Sequence, residues 1–99
     1  MKLVRMSPLK EREYADRQTG ELRKVHWVEL QLTDGVDTLV AEMTVQGEKT
    51  SLGQVEFRQP ELEEGRIYRV QCEMTAQGGN KDGRDWYTNR VNVRKIARL

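Results

Sequence analysis

The segment Arg84–Leu99, RDWYTNRVNVRKIARL, divides into two faces when read at every second residue. Tyr87, Val91, Val93, Ala97 and Leu99 form one set; Arg84, Trp86, Thr88, Arg90, Asn92, Arg94 and Arg98 form the other. Side chains alternate across a β-strand, so the pattern describes a strand that packs one side on a core and offers arginines and an indole on the other. β-branched Thr88, Val91 and Val93, with Asn89 and Asn92, disfavour a helix. Lys95 falls on the apolar set and Ile96 on the basic set, which predicts a bulge or a strand ending near Arg94. Two readings of the basic face are open. Arginine and lysine protect exposed sheet edges from pairing; guanidinium forks and an exposed indole also suit phosphates and stacked bases.

Four further strand-like stretches precede this one. Met1–Leu9 is a weakly patterned first strand interrupted by Pro8, and the polar residues 10–24 either continue it or loop out past Thr19-Gly20. In Val25–Leu32, Val28, Leu30 and Leu32 face one way and Val25, Trp27, Glu29 and Gln31 the other. Asp34-Gly35 then supplies a hairpin turn into Thr38–Val45, with Leu39, Ala41, Met43 and Val45 inward. Residues 47–65 are compatible with a short helix capped by Thr50 or Ser51, which Gly53 weakens, or with an irregular connection, and Val55 and Phe57 alternate equally well as strand. Arg66–Ala76 is the fourth strand, with Tyr68, Val70, Cys72, Met74 and Ala76 inward. The three-glycine stretch Gln77–Asp85 reads as a flexible loop.

Composition narrows the function. Ninety-nine residues make one small domain over 1–99, without room for two lobes around a cleft. Apolar residues are 36% and charged residues 33%, no apolar run reaches membrane-spanning length, and the expected compartment is the cytoplasm. The lone Cys72, on an apolar strand face, reads as a buried thiol. Net charge is only +1, yet residues 81–99 hold six Lys/Arg against two Asp, whereas residues 1–80 hold eleven against fourteen. Positive charge is therefore concentrated at the end of the chain, where it can steer a polyanion. One His and one Cys cannot build a structural zinc site, Asp34 and Asp37 are too few for calcium, and Gly78-Gly79-Asn80 lacks the helix of a phosphate loop. No catalytic residue, metal or cofactor is assigned, and the expectation is a protein that is not an enzyme.

Five strands with small alternating faces and long polar connections outline an all-β, five-stranded OB-fold Greek-key barrel. In layout the chain resembles OB-fold single-stranded DNA-binding proteins of the small bacterial and phage type. Leu62-Glu63-Glu64-Gly65-Arg66-Ile67-Tyr68-Arg69-Val70 looks like the entry to a fourth OB strand, and Asp85-Trp86-Tyr87-Thr88 like the start of the last. The order of elements is similar to filamentous-phage single-stranded DNA-binding proteins and to primosomal replication proteins. The resemblance implies that the fifth strand lies beside the third and that oligonucleotide runs over their outer surface. Candidate contacts are Trp27, Trp86, Arg84, Arg90, Arg94 and Arg98, with Arg23 and Lys24 from the loop after the first strand and Lys81 from the loop after the fourth. Tyr14, set among charges, is a further stacking candidate; Tyr68 and Tyr87 fall on apolar faces and read as core. The expected function is sequence-tolerant binding of single-stranded DNA, or equally RNA, in replication or recombination, by a homodimer. The alternative is an OB-fold protein-interaction module, favoured by the acidic remainder of the chain.

Overall fold

The computed structural model describes residues 1–99, apart from the side chain of Gln77. It is all-β, and among the described residues there is no helix. The strands are β1 (Lys2–Met6), β2 (Lys10–Ala15), β3 (Leu22–Thr33), β4 (Thr38–Val45), β5 (Glu48–Lys49), β6 (Val55–Glu56), β7 (Tyr68–Lys81) and β8 (Arg84–Arg98). The main sheet runs β1-β3-β4-β8-β7, with β2 also paired to β3. Every named pair is antiparallel except β4 with β8, which are parallel around Glu42 and Asn92.

The sheet is not closed into a barrel by a continuous ladder. Its two ends nevertheless touch: Lys2 bridges Ile67, Leu3 N donates to Arg66 O at 2.9 Å, and Tyr68 N donates to Met1 O at 2.7 Å. This contact encloses a small core. Leu3, Val28, Leu30, Leu32 and Ala41 are fully buried and Tyr68 nearly so, and Met43, Val70, Val91, Val93 and Ile96 pack against them. The alternation expected of the second and third strands thus places the right side chains inward. Glu63 N donates to the Tyr68 hydroxyl at 2.8 Å, so burying the phenol leaves its oxygen partnered.

Two irregularities fall where the sequence marked them. β1 and β2 are one interrupted strand: Met6 pairs with Leu30 and Lys10 with Trp27, so the Ser7-Pro8-Leu9 stretch carries one extra residue past β3. Ser7 N donates to Glu29 O, and Glu29 N donates back to the Ser7 hydroxyl. In β8, Val93 faces Cys72 and Lys95 faces Gln71, leaving Arg94 as the extra residue and returning Ile96 to the core. The bulge expected near Arg94 is present.

Three expectations are corrected. Residues 77–85 are not a loop: β7 runs to Lys81 and β8 starts at Arg84, joined through Asp82 (φ 54°) and Gly83 (φ 78°), two successive left-handed residues as in a type I′ turn. Of the readings open for the connection between the third and fourth strands, the short helix is absent and the strand at Val55 is present: Thr50–Gln54 turns back, with Gly53 at φ 77°, to pair β5 with β6. Cys72, Met74, Ala76 and Tyr87 are exposed, although they share a face with Val70 and Val93. Here β7 and β8 have left the core as a long two-stranded ribbon, and inward alternation no longer means burial. The molecule is accordingly flat, 47 × 43 × 19 Å, with a radius of gyration of 16.4 Å against about 13 Å for a compact domain of this length. No helix is long and apolar enough to cross a membrane.

Candidate nucleic-acid interface

Strand register defines one outward face. On β2 and β3 it carries Tyr14 opposite Arg23, Arg12 opposite Val25, and Lys10 opposite Trp27. Across β4 it continues with Thr44 opposite Trp27 and Glu42 opposite Glu29. Glu42 pairs with Asn92 of β8, and from there the face runs along the ribbon through Thr75–Arg90 and Gly79–Trp86 to Lys81–Arg84 at its tip. Trp27 and Arg90, far apart in sequence, line one cavity of about 190 Å³ together with Arg12, Val25, Glu42 and Thr44.

The two tryptophans are held differently. Trp27 is half-buried, and its indole N–H is shielded from solvent with no acceptor among the described residues. Trp86 is 45% exposed and lies over the backbone of Gly79. A Cβ added to Gly79 would stand 2.8 Å from Trp86 Nε1, so only glycine allows the indole to lie against β7. Gly78 lies under Tyr87 on the reverse face, where a Cβ would stand 3.2 Å from the phenol ring, a tight contact that a small shift of the ring relieves. These glycines, read from sequence as loop residues, are seats for aromatic rings.

The cations separate by ion pairing. Among the described residues, Arg12, Lys24, Lys81, Arg84 and Arg90 have no carboxylate partner. Lys81 and Arg84 sit directly opposite one another, a like-charge pair that costs stability unless an anion lies nearby. Arg94 is paired with Glu73, and Arg23 holds Asp16 at 3.1 Å. Arg98 does not belong to the stripe. The bulge at Arg94 shifts parity, so Arg98 pairs with buried Tyr68 and lies 3.9 Å from Glu63. Lys24 also leaves the face, since it opposes Glu13 on the side that carries Glu11 and His26. Of the nine residues expected to bind, Trp27, Trp86, Arg84, Arg90, Arg23 and Lys81 share the outward face, with Arg94 at its border.

Sequence reading missed Arg12, because β2 was not separated from the loop that follows it, and it did not place Glu42 and Thr44 of β4 in the site. The reverse side is filled by packing. His26, 7% exposed, stacks on Phe57 at 3.6 Å between ring centroids and meets Glu11 at 3.1 Å. A larger hollow of about 390 Å³ beside Arg58–Glu61 is lined by two glutamates and no aromatic ring. Cys72 is exposed, not buried, yet partial desolvation still pushes its thiol up, away from a reactive thiolate. Asp34, in the β3–β4 turn, is held below the usual carboxylate range by backbone N–H donors from Asp37 and Val36. No family model, curated protein or solved structure shows significant similarity to the chain.

Proposed function

We propose that the protein binds single-stranded nucleic acid, DNA in the first instance, along the outward face from Trp27 to the ribbon tip. The observation that carries this reading is the union of Trp27, Arg12 and Arg90 in one cavity, followed by Trp86, Lys81 and Arg84 on the same face. Arg90 is four positions along β8 from Trp86, about 13 Å, so an extended strand can contact the cavity and the second indole together. Stacking tolerates every base, and unpaired guanidinium groups suit phosphates.

The fold underlying this proposal is a five-stranded OB-fold, with β1 and β2 acting as one strand. The meander into β4, the parallel β4–β8 pair and the Lys2–Ile67 contact support it. Replication or recombination in the cytoplasm is the setting we propose, by resemblance to phage and primosomal single-strand binders. A second reading, a protein contact by self-association, is favoured by one feature. The reverse face of the ribbon exposes Met74 and Tyr87 at 70% and 82%, and a second copy would cover them.

The test is a titration with dT, rU and duplex DNA at low and high salt, followed by tryptophan fluorescence and light scattering. Quenching by single strands that weakens with salt, in a protein that scatters as a dimer, is expected. Absence of binding by a folded protein at low salt would leave the protein-contact reading alone.

A further inference from the structure

Glu42 is the anomaly of the proposed binding face. It is half-buried, stands directly across from Glu29, and lines the Trp27 cavity with Arg12 and Arg90. Glu29 is neutralised by Lys10 at 2.9 Å, whereas Glu42 has no ion pair or hydrogen-bond donor among the described residues. A carboxylate at the centre of a phosphate-binding surface repels the backbone it is meant to hold. Its placement makes sense when it faces a base edge.

The geometry permits that. Thr44 is directly opposite Trp27, so Glu42, two residues earlier on β4, is its diagonal neighbour at roughly 7 Å. A base stacked against Trp27 would turn its edge toward Glu42. Carboxylates accept only, and the four bases differ in what they offer. Guanine presents two adjacent donors, N1–H and N2–H, which match the two oxygens of one carboxylate. Cytosine and adenine each offer one exocyclic amine. Thymine offers N3–H between two carbonyl acceptors that repel the carboxylate. Beside Glu42, the Thr44 hydroxyl and the guanidinium groups of Arg12 and Arg90 supply donors for guanine O6.

We propose that the Arg12–Trp27–Glu42–Thr44–Arg90 cavity is a guanine-preferring base site within an otherwise sequence-tolerant surface. The inference rests on the single-strand-binding reading and adds a specificity to it. Bidentate recognition of this kind discriminates by about 5- to 150-fold against the wrong base.

The experiment compares wild-type protein with Glu42→Gln on oligomers of about ten nucleotides, the usual site size for one such domain. The oligomers are all dT, or dT with one central guanine, inosine or cytosine. Wild type should bind the guanine oligomer most tightly, lose much of the preference with inosine, which lacks the N2 amine, and bind all dT most weakly. Glu42→Gln should erase the guanine preference, so that the guanine, inosine and all-dT oligomers bind alike. Equal wild-type affinity for all four oligomers would overturn the base site while leaving single-strand binding intact. A guanine preference that survives Glu42→Gln would also overturn it, and binding of none would remove the underlying reading as well. The inosine comparison uses only the unaltered protein, so the test does not depend on the variant folding.

Discussion

At the scale of single residues, the proposed interface depends on a few unpaired groups whose roles are separable from stability. Trp86 is exposed and seated on Gly79, so Trp86→Ala should leave the fold intact and lower dT affinity by about 1–3 kcal/mol, roughly 5- to 150-fold. Gly79→Ala should reproduce much of that loss with the indole still present, because the new Cβ displaces the ring. Full affinity in Gly79→Ala would show that the seat does not matter. Arg90 and Arg98 make a second comparison. Arg90 is unpaired on the outward face, whereas Arg98 lies across the sheet near Glu63. Arg90→Ala should therefore reduce the slope of log affinity against log salt by about one, and Arg98→Ala should leave it unchanged. Equal effects in isothermal titrations across salt would contradict the assignment of faces.

At the scale of elements, the sequence revealed alternation more readily than burial. Val28, Leu30 and Leu32 were legible because a strand beside a core must alternate, and the misplaced pair Lys95–Ile96 disclosed the bulge at Arg94. The same alternation in Cys72, Met74 and Tyr87 misled, since it is identical in a strand over a core and in a ribbon beyond one. Gly78 and Gly79 misled for a related reason: without their cross-strand partners Tyr87 and Trp86 they read as loop glycines. Turn chemistry gives a prediction for the β3–β4 hairpin. Val36 N and Asp37 N each donate to Asp34 Oδ1 at 2.8 Å, which favours the ionised carboxylate in the folded state. A lowered folded pKa contributes stability above the unfolded pKa and loses it as pH falls through the folded one. Asp34→Ala should thus lower Tm at neutral pH, with the difference shrinking below the usual carboxylate range. A pH-independent difference in thermal melts would assign the effect to the turn's shape instead of its charge.

At the scale of the whole molecule, a small core carries two projecting parts, the β2–β3 hairpin end and the β7–β8 ribbon, and both turn cations and aromatics to the same side. The near-neutral total charge conceals this, because Glu11, Glu13, Glu61, Glu63 and Glu64 lie off that surface or along the connection before β7, while unpaired Arg12, Arg90, Lys81 and Arg84 lie on it. What the sequence could not disclose was this sidedness, which depends on the register of β2 against β3 and of β7 against β8. The most direct test is an NMR titration of the folded protein with a dT oligomer, mapping backbone amide and indole shifts. Shifts should cluster at Arg12, Trp27, Thr44, Arg90 and Trp86, both indole N–H signals included. Shifts confined to the reverse face around Met74 and Tyr87, or no shifts at low salt, would contradict it.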